Sequence, residues 1–193
     1  MKTAGVVLAG GESRRFGQPK AFALHNGKFF YERALAVLKT HIGETVIVAR
    51  AGEESKFEGC RVIVDDPLFR GMGPLAGLHS AMKNISSDWY CVMACDMPLM
   101  TEETIERLVK TASALDRFDA VVPVIERRTQ PLAAMYHHST FEVLESLLAR
   151  DIRMVKKFLD EIHPYEMEGL DPLCFKNVNT KADFDLLKGE RRL

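Results

Sequence analysis

Short apolar, β-branched segments alternate with amphipathic segments along most of this chain, and this alternation most constrains the fold. Such a pattern is typical of a mostly parallel β-sheet with helices on both faces. It predicts an α/β protein with a three-layer, Rossmann-like α/β/α arrangement. The strand candidates lie at residues 3–8, 45–49, 61–64, 89–94, 120–123 and 132–136. The helix candidates lie at residues 29–39, 74–83, 101–114, 140–150 and 153–159, and a last helix opens at Thr180 with Asp183 near its first turn.

A glycine-rich segment directly follows the first strand candidate. Gly10 and Gly11 come after the apolar run at residues 5–8, and Arg14, Arg15 and Lys20 follow within ten residues. Paired glycines let backbone N–H groups come close to an anion, and the three cations supply positive charge. The segment predicts a phosphate-binding loop, whereas Gly-Gly alone after a strand would indicate an ordinary tight turn.

Two familiar glycine-loop motifs do not match this segment. In the Walker A motif a glycine precedes the lysine and Ser or Thr follows it, but here Pro19 precedes Lys20 and Ala21 follows. The dinucleotide fingerprint requires Gly-x-Gly-x-x-Gly, which the glycine spacing here does not supply. A P-loop NTPase and a hydride-transfer enzyme are therefore disfavoured.

Composition indicates one domain over residues 1–193. The chain is 47% hydrophobic, which suffices for a large core, and its formal net charge of -1 gives no overall basic field for nucleic acid. It contains no apolar run of 18 or more residues, and residues 1–3 lead into a strand without a signal-peptide core. We expect a cytoplasmic protein that binds neither nucleic acid nor membrane.

The cysteines and histidines do not form a metal-ligand pattern. Cys60, Cys91, Cys95 and Cys174 lack the spacing of a zinc site, and small buried side chains are the favoured interpretation, although Cys91 and Cys95 would face the same side of a strand. The only adjacent histidines, at 137–138, predict a surface turn.

Acidic and polar residues follow several strand candidates, where ligands bind in open α/β sheets. Asp96 comes just after the strand at 89–94, and Asp65 and Asp66 follow the strand at 61–64. Asp96 suits Mg²⁺ held by triphosphate oxygens, because this ion takes one or two carboxylates plus phosphate and water; a turn carboxylate is the alternative. Asn177 and Asn179 lie two apart, so in an extended segment they would project to the same side, and capping of the helix at Thr180 is one role for them.

Four segments carry a family resemblance: residues 8–20 (LAGGESRRFGQPK), 73–77 (GPLAG), 95–98 (CDMP) and 177–180 (NVNT). They resemble the nucleotidyltransferases with a glycosyltransferase-A-like fold, and within that group the molybdenum cofactor guanylyltransferases. The resemblance covers nearly the whole chain. It also implies that the segment around residues 130–136 is an antiparallel insertion in the sheet.

The resemblance implies roles for individual residues. Asp96 would bind Mg²⁺, Arg15 and Lys20 would act on the triphosphate, and Asp65 or Asp66 would contact nucleotide. The nucleotide-binding residues that the resemblance implies are Leu8, Ala9, Gly10, Gly11, Lys20, Asp65, Asp66, Gly73 and Asp96. For Gly73, a simple loop before a helix is the alternative interpretation. The resemblance also implies that Asn177 and Asn179 would contact phosphate or complete a metal shell, with capping of the helix at Thr180 as the alternative.

The implied reaction is nucleotidyl transfer, in which an acceptor phosphate attacks the α-phosphorus of a nucleoside triphosphate and pyrophosphate leaves. Positioning and charge stabilisation carry this chemistry, so no nucleophilic side chain is required. The implied substrates are GTP and molybdopterin, and the implied cofactor is Mg²⁺. Molybdoenzymes or cofactor-insertion proteins are the further partners expected. We expect the protein to be a monomer or a weak oligomer. The alternatives are a molybdopterin cytidylyltransferase, a sugar- or isoprenoid-phosphate nucleotidyltransferase, and a nucleotide-binding module without turnover.

Overall fold

Ten strands and six α-helices make up the part of the chain that the computed structural model describes, residues 1–11, 16–17 and 19–189. The strands are β1 (Thr3–Leu8), β2 (Leu24–His25), β3 (Lys28–Phe29), β4 (Glu44–Ala49), β5 (Arg61–Val64), β6 (Trp89–Ala94), β7 (Ala120–Ile125), β8 (Arg128–Thr129), β9 (Ala133–His137) and β10 (Pro164–Met167). The helices are α1 (Phe30–Lys39), α2 (Pro74–Asn84), α3 (Glu102–Ala114), α4 (Phe141–Ala149), α5 (Val155–Asp160) and α6 (Lys181–Gly189).

The central sheet has the strand order β10-β7-β9-β6-β1-β4-β5, with β8 paired to β7. Strands β6, β1, β4 and β5 are parallel neighbours, and so are β7 and β10. Strand β9 runs antiparallel to both β6 and β7, which confirms the antiparallel insertion. The sheet is therefore mostly parallel, as the alternating pattern predicts.

Alternate residues of the strands pack on opposite faces of the sheet. Val7 and Ile47 belong to a core cluster that includes residues of α1 and α3, whereas Val6 and Val46 belong to a cluster that includes residues of α2, α4 and α5. This two-sided burial explains why the strands read as continuous apolar runs, and it confirms the three-layer arrangement.

The start of α3 follows the capping pattern in its sequence. Thr101 precedes the helix, and its Oγ1 accepts a hydrogen bond from the N–H of Thr104 at 3.3 Å. Glu102 and Glu103 lie in the first turn, where negative charge is favourable. Among the helices of the described residues, none is long and apolar enough to cross a membrane.

The predicted strands and helices are present with ends shifted by up to two residues, and four short strands, β2, β3, β8 and β10, are added. The β2–β3 hairpin turns at Asn26 and Gly27, both with positive φ, and Asn-Gly is the residue pair that favours this turn. Strand β8 forms a tight turn with β7. Strand β10 begins with Pro164 at the sheet edge and is largely exposed, so it lacks the apolar run that predicts a strand.

Candidate functional site

The carboxyl ends of β1, β4, β5 and β6 surround a cavity of about 860 Å³. These four strands are parallel neighbours, so the residues that follow each of them meet at one edge of the sheet. The predicted residues that line the cavity are Leu8, Ala9, Gly10, Gly11, Lys20, Asp65, Gly73, Asp96 and Asn179. One tertiary site therefore brings together segments from both ends of the chain.

The glycine-rich loop leaves β1 at the rim of this cavity. The N–H of Ala9 donates to the carbonyl of Val48 at 2.9 Å, and the carbonyl of Leu8 accepts from the N–H of Cys95 at 3.2 Å. These bonds tie the start of the loop to the two strands beside β1. Residues 12–15 and 18 lie outside the described residues, and with them the predicted triphosphate ligand Arg15.

Lys20 contacts two of the predicted site residues at once. Its Nζ donates to Asp96 Oδ2 at 2.8 Å and to Asn179 Oδ1 at 2.7 Å. The side chains of Lys20 and Asp96 are only 15% and 19% exposed, so their charges interact in a partly desolvated setting. The arrangement places an ammonium group, a carboxylate and an amide on one wall of the cavity.

A backbone bond holds the last partner of this cluster in place. The N–H of Val178 donates to the carbonyl of Asp96 at 2.9 Å, which ties the segment before α6 to the end of β6. Asn179 therefore faces Lys20, whereas Asn177 is exposed and is not part of the cavity lining. Extended geometry alone would have put both amides on the same side.

The two adjacent aspartates after β5, Asp65 and Asp66, have different surroundings. Asp65 lines the cavity, and its carboxylate accepts a hydrogen bond from the N–H of Gly71 at 3.2 Å. Burial raises the pKa of Asp65, against the opposing influence of the Gly71 N–H and of the nearby Arg70.

Asp66 turns away from the cavity toward α2. It pairs with Lys83 of that helix, accepts from the N–H of Leu68 at 2.9 Å, and donates its own N–H to Ser80 Oγ at 2.8 Å. The hydrogen bond and charge of Lys83 hold the pKa of Asp66 below its usual range. Asp66 is therefore a local structural residue between β5 and α2, and Asp65 is the aspartate of this pair at the site.

Helix α2 starts at the cavity through the GPLAG segment. Gly73 precedes the helix with φ of 83°, a conformation that favours glycine, and Pro74 occupies the first helical position. A Cβ added at Gly77 would lie 2.8 Å from Leu8 Cδ2, so this glycine allows close packing of α2 on the end of β1. Backbone conformation thus explains Gly73 and close packing explains Gly77, and both glycines line the cavity.

Two arginines at the cavity were not identified from the sequence. Arg50 directly follows β4 and Arg70 lies in the loop before Gly71, and both residues line the cavity. Arg50 follows the rule that ligand-contacting residues come after parallel strands, so that rule would have found it. Arg70 lies in an irregular loop, and no sequence pattern indicates it.

The four cysteines form no disulfide bonds. All four cysteines are free thiols, and three of them are buried, as expected for small apolar side chains. Burial raises the pKa of both Cys91 and Cys95 to about 12, so these thiols stay protonated near neutral pH. Within the described part of the chain, no group of three or more His, Cys, Asp or Glu side chains is arranged to hold a metal ion.

A family model and the sequence relatives agree with each other over most of the chain. Residues 5–165 match the family model of the MobA-like NTP transferase domain. A protein of Geobacillus sp. (strain WCH70) named "Probable molybdenum cofactor guanylyltransferase" is 42% identical over 191 residues, covering 95% of this chain and 97% of that protein. A protein of the same name from Bacillus velezensis is 40% identical over 194 residues, with coverage of 97% and 95%.

A solved structure agrees with these sequence relatives. Molybdopterin-guanine dinucleotide biosynthesis protein A from Archaeoglobus fulgidus superposes with a TM-score of 0.83 at 27% identity, and the match covers 97% of each chain. The family model, the sequence relatives and the shared fold lead to one conclusion. The chain belongs to the MobA-like NTP transferase family, together with the molybdenum cofactor guanylyltransferases.

Proposed function

We propose that this protein transfers GMP from GTP to the terminal phosphate of molybdopterin, and that one domain carries the whole site. The product is the guanine dinucleotide form of the cofactor, with release of pyrophosphate. The single observation that carries the proposal is the convergence of Lys20, Asp96 and Asn179 at the cavity that the glycine-rich loop also lines. The names of the sequence relatives support the choice of guanine and of molybdopterin.

Each residue has a defined task in this proposal. Backbone N–H groups of Gly10 and Gly11, with Arg15, bind the triphosphate, because glycine backbone and guanidinium groups both donate to phosphate oxygens. Lys20 stabilises the negative charge that develops as the α-phosphorus changes partners. The acceptor phosphate is already ionised near neutral pH and attacks in line, so the site needs no side-chain nucleophile.

The oxygen donors near Lys20 suit a hard divalent cation. Asp96 Oδ2 and Asn179 Oδ1 already converge on one positively charged group, the ammonium of Lys20. One carboxylate and one amide oxygen match Mg²⁺, which keeps several waters and phosphate oxygens in its shell. When bound, this ion would neutralise phosphate charge, with Asp96 holding it and Asn179 contributing an amide oxygen.

The test is pyrophosphate release by the purified protein with each of the four nucleoside triphosphates, molybdopterin and Mg²⁺. We expect GTP to give the fastest release, and chelation of the metal to abolish it. Faster release with CTP would assign the chain to cytidylyl transfer instead. Equal rates with all nucleotides, or no dependence on the acceptor, would reject transfer to molybdopterin.

A further inference from the structure

The first turn of α6 lies directly beside the cluster formed by Lys20, Asp96 and Asn179, although none of the side chains of that turn lines the cavity. Thr180 and Asp183 form a reciprocal cap at this point. The carboxylate of Asp183 accepts from the N–H of Thr180 at 2.8 Å, and Thr180 Oγ1 accepts from the N–H of Asp183 at 3.1 Å. In isolation this is an ordinary capping box, whose role is to stabilise a helix.

The carboxylate of Asp183 has a second partner outside the box. The same oxygen, Oδ2, accepts from the N–H of Asn179 at 2.9 Å. The side chain of Asn179 in turn accepts from Lys20 Nζ, which also donates to Asp96. Asn179 therefore links Asp183 to the ammonium group of Lys20, with its backbone N–H bonded to Asp183 and its side-chain oxygen bonded to Lys20.

A ring contact connects the same helical turn to the glycine-rich loop. Phe184 packs edge-on against Phe16, with ring centroids 5.8 Å apart, and against Phe30 at 5.9 Å. Phe16 lies between the two parts of the loop that carry Gly10, Gly11 and Lys20. The first turn of α6 thus touches both the loop and the segment that holds Asn179.

We propose that Asp183 is a positioning residue for the transfer reaction: through Asn179 it holds the Lys20 ammonium against Asp96 at the cavity. The inference rests on the proposed function for its kinetic consequence, but its structural part concerns only Lys20. Because the Asp183 oxygen binds backbone N–H groups, removing it frees the Asn179 backbone and lets the amide drift from Lys20. Misplacement of a charged group in a site of this kind commonly costs about tenfold or more in rate.

The experiment compares Asp183→Ala with Thr180→Ala, which removes the other half of the same cap. Thr180→Ala loses one side-chain bond of the box, whereas Asp183→Ala loses two bonds to backbone N–H groups, so the melting temperature should fall in both variants and further in Asp183→Ala. Only Asp183→Ala also releases the Asn179 N–H. We expect kcat to fall about fivefold to tenfold in Asp183→Ala with little change in KM for GTP, and to stay within about twofold of the parent protein in Thr180→Ala.

A second measurement does not depend on turnover. Trace acetylation, followed by mass spectrometry, reports the reactivity of Lys20 relative to the exposed Lys28. We expect Lys20 to react more slowly than Lys28 in the parent protein and several times faster in Asp183→Ala, but not in Thr180→Ala. If Asp183→Ala fails to fold, Asp183→Asn replaces it, and its remaining amide oxygen should give a smaller change in the same direction.

Equal Lys20 reactivity and equal kcat in the two variants would overturn the proposal and leave Asp183 as a helix cap only. If the parent protein releases no pyrophosphate, the proposed function fails, but the labelling ratio still decides whether Asp183 positions Lys20.

Discussion

Replacing Asp96 with asparagine separates the chemical role of this residue from its structural one. The side chain keeps its size and one oxygen, and only the negative charge is lost. In the structure that charge is paired with Lys20 at 2.8 Å, and both side chains are more than four-fifths buried. The substitution therefore changes two free energies, that of folding and that of the reaction, and they can be measured independently.

The effect on folding is expected to be small. Asp96→Asn leaves the Lys20 ammonium a hydrogen bond to an amide oxygen, which is still charge-assisted, and removes only the ion-pair contribution, about 1 kcal/mol for a pair that keeps some exposure. A loss of roughly 1 kcal/mol corresponds to a melting temperature lower by about 2–4 °C for a protein of this size. The Val178 N–H still has its bond to the backbone carbonyl of residue 96, which the substitution leaves unchanged.

The effect on turnover is expected to be much larger. A carboxylate that holds a divalent cation supports several kcal/mol of transition-state stabilisation, so we expect a loss of about a hundredfold or more in kcat, equivalent to about 2.7 kcal/mol. Raising the Mg²⁺ concentration should recover part of the activity. The assay is pyrophosphate release with GTP and molybdopterin over a Mg²⁺ titration, with thermal melting in the same buffer.

Asp66→Asn is the matched control, because it makes the same chemical change in another Asp–Lys pair, with Lys83, that faces α2 instead of the cavity. It should melt slightly below the parent protein and retain its turnover. Full activity of Asp96→Asn at ordinary Mg²⁺ would refute the reasoning, since Asp96 would then be a turn residue and the metal ligand would have to be sought at Asp65, the other aspartate that lines the cavity. A hundredfold loss accompanied by unfolding would also remove the support for a metal role.

Three further outcomes are expected. Lys20→Ala should lower kcat by about tenfold to a hundredfold, because it removes the proposed charge-assisted contact to phosphate, worth about 1.5–3 kcal/mol. Unchanged turnover would limit the role of Lys20 to its structural bonds with Asp96 and Asn179. Asp65→Asn should weaken nucleotide binding, measured by titration calorimetry with GTP, whereas Asp66→Asn should not; equal affinities would contradict the separation of this pair. With a thiol reagent at pH 8, the half-buried Cys60 should react before the buried Cys91. Burial raises the pKa of Cys91 to about 12, so this thiol stays protonated until the protein unfolds. Faster reaction at Cys91 would contradict its burial.

Regular elements with strong local signals were predictable from the sequence. Strands β1 and β6 have the predicted ends, because each is a β-branched or aromatic run that is buried on both faces. Strand β10 was missed because an exposed edge strand that begins with proline has neither an apolar run nor alternation. The β2–β3 hairpin was missed although the pair Asn26-Gly27 indicates it, since two-residue strands carry almost no hydrophobic pattern.

The candidate site was predictable where residues follow parallel strands. The segments after β1, β5 and β6 were all identified, because strand order places their carboxyl ends at one edge. The choice between Asp65 and Asp66 was not predictable, since neighbouring side chains leave the backbone in different directions and only the packing of α2 decides which one faces the cavity. The same holds for Asn177 and Asn179, whose orientations depend on the bond between Val178 and Asp96.

The amino-acid sequence by itself determined the α/β class, the glycine-rich loop and the family, because these depend on local periodicity and on residue types at fixed spacing. Only the tertiary structure decided that Lys20, Asp96 and Asn179 meet, since Asp96 and Asn179 lie 76 and 159 positions away from Lys20 along the chain. Contacts over such separations form only when the sheet and α6 have packed, and no local pattern carries their geometry.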